Sequence, residues 1–193
     1  MKNIGYVNLN PTCRNLKAII TTLPGKEHLA IIEVGDAIFP HDPEVVIVRA
    51  PYPHVILVYS RLSSWNIYGL IIANPPASVN RIVPVEECVS TDINKILRSA
   101  ANLLRRRLRK SSTLIHVSCT CRGTNLSKSE VEKMIALKLK EDNLAIPVIR
   151  FRDAEYELKV EVLGEITVLS LLPKGMDNVK RIIQGKMRWK VMK

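Results

Sequence analysis

The sequence predicts an α+β protein made of two compact units. Residues 4–85 carry short apolar runs in the order strand, helix, strands, helix, strand. Apolar residues at alternate positions over 115–121 lead into a well-marked helix start at Lys128, and residues 156–172 show a clear hairpin pattern. The chain has 193 residues, of which 47% are hydrophobic, so it is long enough to bury two cores.

The amino-terminal elements follow the order of a ferredoxin-like split βαβ sandwich. The helical spacing of apolar residues between Leu16 and Leu23 predicts a helix that begins at Pro11 and is ended by Pro24. Pro84 lies in the final run. Because proline cannot donate a hydrogen bond to a neighbouring strand, that strand is predicted at the edge of the sheet. The number of strands is open by one. The predicted elements are a strand over 4–9, a helix over 11–23, strands over 29–34, 44–48 and 54–59, a helix over 64–73 and a strand over 79–85.

The second unit opens at about Glu86 with a helix that is basic at its far end. Ser90-Thr91-Asp92 caps this helix, and apolar residues at helical spacing give it an inward-facing stripe. Cations at the carboxyl end of a helix interact favourably with the helix dipole, and this effect explains one or two of the basic residues here. The run Arg105-Arg106-Arg107 places like charges together at a cost, which favours an anionic partner. Arg98, Arg105 and Arg109 are predicted to share one helix face, with Arg106 and Lys110 on the neighbouring one.

A segment with the features of a phosphate site follows the central strand. It reads Arg122-Gly123-Thr124-Asn125-Leu126-Ser127. Ser127 is predicted to cap the next helix, with Glu130 completing a capping box. Gly123 is expected either to supply a positive φ or to let a ligand approach the backbone closely. One arginine, backbone amides and the positive end of a helix would then face the same anion. The alternative is an ordinary surface turn before a capped helix.

Residues 156–172 predict a hairpin with Gly164-Glu165 as its turn, after a short extended segment over 144–151. Glu157, Lys159 and Glu161 alternate with apolar residues, so we expect surface charges on a solvated face rather than paired catalytic carboxylates.

The basic tail from Lys174 predicts a helix over 177–184. It either docks on the fold through Val179, Ile182 and Ile183 or becomes ordered only on RNA. Trp189 lies between cations and suits packing at least as well as stacking on a base.

The formal net charge of +11 (29 basic minus 18 acidic residues) indicates a polyanionic partner. Nucleic acid is favoured over an anionic membrane surface, and also over the ion-pair networks that make thermophilic proteins rich in Lys and Arg. No signal-peptide core or membrane-spanning run is present in the sequence, so we expect a soluble, cytoplasmic protein.

The four cysteines are Cys13, Cys88, Cys119 and Cys121, and they lack the paired spacings of a zinc site. Buried reduced thiols are the favoured interpretation. A disulfide between Cys13 and Cys88 is the alternative if the source is a hyperthermophile.

The sequence shows no motif that indicates catalysis. It has no GxGxxG, GxxxxGK or HExxH pattern, and its four histidines are scattered. We therefore predict no catalytic residue, no metal, no cofactor and no small-molecule substrate.

Two stretches of the second unit resemble a THUMP domain. They are Ser112 to Val131, which contains Cys121-Arg122-Gly123-Thr124-Asn125, and Tyr156 to Gly164. Arg81-Ile82-Val83-Pro84-Val85 resembles the junction that precedes such domains, so the resemblance covers about 81–173. It implies an amino-terminal ferredoxin-like domain over 1–85, a THUMP domain with a mixed sheet over 86–173 and a basic tail over 174–193.

THUMP domains are RNA-binding modules of tRNA-modifying systems. The resemblance implies a tRNA-binding protein that holds the acceptor stem and the 3′ CCA end. Because the chain stops where a catalytic domain would be attached, we expect a non-catalytic adaptor that presents tRNA to a separate enzyme, most of all a cytidine acetyltransferase that forms N4-acetylcytidine. The alternatives are an RNA-binding subunit of a split thiouridine synthetase or methyltransferase, and a structural or ribosome-associated RNA binder.

Thr120 and Cys121 stand where many THUMP proteins carry further basic residues, so fewer phosphate contacts are expected from that strand. The predicted RNA-binding residues are Arg122, Gly123, Asn125, Ser127, Lys128, Arg98, Arg105, Arg106, Arg109, Lys110 and Arg81.

Overall fold

The computed structural model describes residues 10–184, which form two compact units. The first unit contains Lys17–Pro84 together with 175–184, and the second contains Asn10–Leu16 together with Val85–Lys174. In the described part of the chain, no helix is long and apolar enough to cross a membrane. The strand predicted over 4–9 lies outside the described residues.

The first unit is a four-stranded antiparallel sheet with two helices. The strand order is β2-β3-β1-β4, which is the order of a ferredoxin-like sheet. One core contains residues from the helices and from all four strands. Its elements are β1 (Leu16–Thr22), α1 (Glu27–Ile38), β2 (Val46–Arg49), β3 (Val55–Tyr59), α2 (Ser64–Ala73) and β4 (Val79–Pro84).

Two elements at the start of this unit were predicted wrongly. The predicted helix over 11–23 is the strand β1, and the predicted strand over 29–34 belongs to the helix α1. β1 lies inside the sheet and is buried on both faces, so it reads as a continuous apolar run without alternation. In α1 the buried residues Ala30, Ile31, Val34 and Ile38 do follow helical spacing, but the compact apolar cluster at its centre imitates a strand.

The later elements of the first unit agree with the sequence predictions. β2, β3, α2 and β4 lie within one or two residues of their predicted positions. The Ser63 side chain caps α2 by accepting a hydrogen bond from the Asn66 amide. β4 is an edge strand, as Pro84 predicted.

The second unit is a five-stranded mixed sheet in the order β5-β9-β8-β6-β7. β6 runs parallel to both β8 and β7, and β8 forms an antiparallel hairpin with β9. Helices α3 and α4 pack together and share one core with the sheet. The elements are β5 (Glu87–Ser90), α3 (Ile93–Arg107), β6 (Leu114–Arg122), α4 (Lys128–Glu141), β7 (Ile146–Pro147), a 3₁₀ turn (Phe151–Asp153), β8 (Tyr156–Leu163) and β9 (Ile166–Pro173).

The prediction of a solvated row on β8 was wrong. Glu157, Lys159 and Glu161 are all buried, on the face opposite the helices. Lys159 Nζ lies 2.6 Å from Glu157 Oε1, and Glu161 is paired with Arg122. Alternation of charged and apolar residues therefore separates the two faces of β8, but pairing of opposite charges lets the polar face be buried as well.

The described tail docks on the first unit. The helix α5 (Val179–Ile183) begins at Asn178, whose side chain accepts a hydrogen bond from the Arg181 amide. Val179 is buried in the core of the first unit and Ile182 packs against it, whereas Ile183 is exposed. Of the two predicted outcomes for residues up to 184, docking is the one observed. Trp189 lies outside the described residues.

Cys13 and Cys88 form a disulfide, so the expectation of four reduced thiols was wrong for this pair. The bond ties the segment Asn10–Leu16 to β5. Cys119 and Cys121 are free thiols with their sulfur atoms 3.6 Å apart. Burial, and then the adjacent Cys121, raise the pKa of the Cys119 thiol, which keeps that thiol protonated.

Candidate nucleic-acid interface

The predicted phosphate segment is a tight turn between β6 and α4. Gly123 has φ +63°, in the left-handed region that glycine adopts without a steric penalty. The Gly164 amide donates to the Arg122 carbonyl at 2.8 Å, which fixes the β8–β9 hairpin beside the turn. Gly123 and Asn125 are exposed, so a ligand can reach the backbone here.

The capping box predicted at Ser127 does not form. Ser127 has the extended conformation of an N-cap, but its side chain makes no capping hydrogen bond. Its Oγ instead lies 3.0 Å from Ser129 Oγ. The first turn of α4 therefore keeps amide groups that no capping side chain satisfies, and such amides bind anions. Lys128 opens this turn and is exposed, and its Nζ lies 3.7 Å from the half-buried Glu132 carboxylate one helical turn later.

Arg122 is largely engaged inside the protein. Its Nη1 lies 2.6 Å from Glu161 Oε2, and the side chains are 22% and 6% exposed. Glu161 is on β8, the strand next to β6, and Thr120 rather than Arg122 is its direct neighbour across the strands. Because the carboxylate is buried, it needs this cation nearby. The structure thus does not present Arg122 as the free guanidinium that the sequence prediction required.

The basic end of α3 is also partly neutralised. Arg105 Nη2 lies 2.7 Å from Asp142 Oδ2, and Arg106 and Arg107 form ion pairs with Glu87 and Glu86. The hydrogen bond from Lys138, together with Arg105, lowers the pKa of Asp142, so the carboxylate stays charged at neutral pH. Arginines that are adjacent in the sequence are thus each paired with a carboxylate from another part of the fold.

Three predicted cations keep their charge exposed. Arg98, Arg109 and Lys110 are exposed and make no ion pair with any residue that the structure describes. The prediction that Arg109 shares a helix face with Arg98 and Arg105 was wrong, since α3 ends at Arg107. Arg109 and Lys110 lie in the connection to β6, where the Lys110 carbonyl accepts a hydrogen bond from Thr113.

Arg81 belongs to the first unit. It lies on β4, where its Nε is 3.7 Å from the buried Asp177 carboxylate, and its side chain is about half exposed. Residue 178 pairs with Arg81 as an isolated β-bridge, so this contact helps to hold the tail segment on the unit.

The structure separates the predicted residues of the second unit into two groups. The turn at Gly123 lies at the carboxyl end of β6, whereas Arg109 and Lys110 precede its amino end. A strand of nine residues spans about 26 Å, which is the separation of roughly eight phosphates along one strand of a nucleic acid. The arrangement suits an extended polyanion rather than a single phosphate.

Sequence reasoning missed the carboxylates that decide which cations are available. Glu86 and Glu87 precede and open β5, a strand that was not predicted, and Glu161 was assigned to solvent. Adjacent acidic residues ahead of a basic helix were the available signal for Glu86 and Glu87. Within residues 10–184, no three His, Cys, Asp or Glu side chains converge as metal ligands.

No protein-family model and no curated protein matches this sequence. Solved structures do match the fold. PH1313 from Pyrococcus horikoshii is 12% identical with a TM-score of 0.63, and the match covers 83% of this chain and 56% of that one. TrmN from Thermus thermophilus is 17% identical with a TM-score of 0.58, covering 86% of this chain and 47% of that one. A 4-thiouridine synthetase solved with RNA and bound ATP is 11% identical with a TM-score of 0.55, covering 83% of this chain and 42% of that one.

These similarities show the fold. The chain is an α+β protein with a ferredoxin-like unit followed by a THUMP-type domain with a mixed sheet, so the predicted fold class is confirmed. The chain spans about half the length of the structures it matches.

Proposed function

We propose that this protein is a tRNA-binding adaptor without catalysis, which holds the acceptor stem and 3′ CCA end and presents the tRNA to a separate modification enzyme. The observation that carries the proposal is the pair of exposed cationic sites on one THUMP-type domain. One is the uncapped start of α4 with Lys128, and the other is Arg109 and Lys110 after α3, the helix that also carries the exposed Arg98. Cations and helix amides are the groups that proteins use to grip a sugar-phosphate chain.

The similarity in fold to a 4-thiouridine synthetase solved with RNA adds support for an RNA partner. The net charge of +11 points the same way. The proposed enzyme partner is a tRNA cytidine acetyltransferase, which is the partner that the resemblance to THUMP domains led us to expect.

Acetylation assays test this proposal. Bulk tRNA, acetyl-CoA and a tRNA cytidine acetyltransferase are incubated with and without this chain, and N4-acetylcytidine is measured by nucleoside mass. We expect the chain to raise the product yield and to form none in the absence of the acetyltransferase. Product that is independent of the chain, or product made by the chain alone, would contradict the adaptor role.

The fold of the 4-thiouridine synthetase favours a second candidate, an RNA-binding subunit of a split thiouridine synthetase or methyltransferase. In this case the chain stimulates thiolation or S-adenosylmethionine-dependent methylation by its partner instead of acetylation. The same mass measurement distinguishes the products.

A further inference from the structure

A groove in the second unit is lined by none of the cations of the proposed RNA site. Its volume is about 400 Å³, and it runs between α4 and residues 147–149. Ala136 and Leu137 form one wall, Pro147, Val148 and Ile149 form the other, and His116 and Val117 close the floor.

Large aliphatic side chains stand exposed along this groove. Ile149 is 94% exposed and Leu137 is 50% exposed, and Ile146 beside them is 47% exposed. Single exposed apolar residues are ordinary on a protein surface. Leu137 and Ile149 line the same groove, together with Ala136, Pro147 and Val148, and they make an apolar patch, which is typical of an interaction site.

The edge of the sheet here is unsuited to pairing with an added strand. The Ile146 and Val148 amides donate inward, to the Thr113 and Ile115 carbonyls. Residue 147 between them points its backbone outward, but it is a proline and has no N–H to donate. Further along β6, the Cys119 amide is already taken by Glu132 Oε1 at 2.8 Å. A bound segment therefore contacts side chains rather than extending the sheet, which favours a helix lying in the groove.

The charges at the groove are basic. Lys133 and Lys140 lie two turns apart on the wall formed by α4, are exposed, and make no ion pair among the described residues. The acidic lining residue, Glu132, accepts the Cys119 amide at 2.8 Å and lies near Lys128. The groove thus offers two available positive charges, which complement an acidic partner.

The lining favours a protein over an unpaired RNA base. Bases bind by stacking on flat aromatic or guanidinium faces, whereas the apolar residues that line this groove are all aliphatic. The ring in its floor, His116, already packs edge to face on Phe151 at 5.9 Å between ring centroids.

We propose that this groove docks an acidic amphipathic helix of another protein, with aliphatic side chains between Leu137 and Ile149 and carboxylates facing Lys133 and Lys140. The inference rests on the proposed adaptor function, which supposes a second polypeptide, and it names the surface and the chemistry by which that polypeptide is held.

Two synthetic helical peptides of about 16 residues test it, with leucines at i, i+3, i+4 and i+7 and either glutamate or lysine on the flanks. Binding to the full chain is measured by fluorescence anisotropy. We expect the glutamate peptide to bind at least about tenfold more tightly than the lysine peptide. Combining Leu137→Asp with Ile149→Asp weakens the glutamate peptide by at least about tenfold. Combining Lys133→Glu with Lys140→Glu reverses the preference between the peptides.

The matched control combines Arg98→Glu with Arg109→Glu, which changes the net charge equally but lies outside the groove. It leaves peptide binding within about twofold and weakens tRNA binding, so failure of the RNA site and failure of the groove are distinguishable. Equal binding of the two peptides, or binding unchanged by the groove variants, overturns the proposal. Displacement of the peptide by a short RNA ending in CCA also overturns it, in favour of an RNA site.

Discussion

Arg122 and Arg98 are both arginines of the THUMP-type unit, yet their surroundings are opposite. Arg122 is paired with the buried Glu161, while Arg98 is exposed and has no ion-pair partner among the described residues. The first resembles a functional arginine in the sequence, next to a glycine at a turn. The comparison teaches that a cation's availability depends on carboxylates that are distant in the sequence and adjacent in space.

The difference predicts that the paired arginine contributes to stability and that the exposed cations contribute to binding. The Arg122 cation pairs with a buried carboxylate, so its loss should lower stability. The exposed cations make no ion pair with any described residue, so their loss should leave stability unchanged and weaken the binding of a polyanion.

The largest effect is expected from Arg122→Ala. Removing the guanidinium takes an ion-pair partner away from the buried Glu161 carboxylate, which should lower the free energy of unfolding by about 3 kcal/mol. Urea unfolding followed by circular dichroism measures this. Replacing the pair together, Arg122→Met with Glu161→Leu, should recover most of the loss. A stable Arg122→Ala protein that binds tRNA weakly would instead restore Arg122 as a phosphate ligand.

The triple variant Arg98→Ala, Arg109→Ala, Lys110→Ala should show the converse behaviour. We expect tRNA affinity to fall at least about tenfold, or about 1.4 kcal/mol, and the slope of log affinity against log salt to flatten by about one unit per lost phosphate contact. Filter binding at several salt concentrations measures both. An unchanged slope would show that these cations do not contact RNA, and an unchanged unfolding midpoint is the control for folding.

Gly123→Ala tests the backbone conformation of the turn between β6 and α4. An alanine at φ +63° is strained, so the free energy of unfolding should fall by about 1 kcal/mol. The matched control is Gly69→Ala in the middle of α2, where an added Cβ meets nothing within 4 Å. It should raise stability by about 0.5 to 1 kcal/mol, because alanine is the better helix former. Similar losses at both positions would contradict the assigned turn geometry.

The smallest effect concerns Asp142, whose pKa is lowered by the hydrogen bond from Lys138 and by Arg105. Since the folded-state pKa lies below the ordinary value, this carboxylate contributes stability that is present above that value and is lost as the pH falls through the folded-state pKa. Carbon-detected NMR titration should find the Asp142 pKa below 3.8 in the wild type and higher in Lys138→Ala. Titration at the same pH in both proteins would contradict the pairing.

Local sequence patterns predicted an element correctly where one of its faces packs in the core and the other faces solvent. β6 keeps Ile115, Val117 and Cys119 buried, as its alternation predicted, and α3 begins at the predicted cap, where the Asp92 side chain accepts from the Lys95 amide. The predicted order of strands and helices still matches a ferredoxin-like unit, although β1 and α1 were misassigned. The first strand and the first helix each lie one element further along the chain than predicted. Elements buried on both sides carry no periodic signal, which is why β1 was missed.

The candidate site was less predictable than the fold. Exposure of Arg98, Arg109 and Lys110 agrees with the expectation of available cations, but pairing of Arg105, Arg106 and Arg122 depends on which carboxylates the tertiary fold brings near. The sequence places Glu161 thirty-nine residues after Arg122, and only the parallel pairing of β6 with β8 makes them neighbours. No local pattern encodes that contact.

The main proposal is that exposed cations of this protein bind the 3′ end of tRNA. It is tested most directly by the affinity of the full chain for intact tRNA and for tRNA trimmed of its terminal nucleotides, each at two salt concentrations. We expect a loss of at least about tenfold on trimming and a fall in affinity as salt rises. Equal affinity for both RNAs, with no dependence on salt, would contradict it.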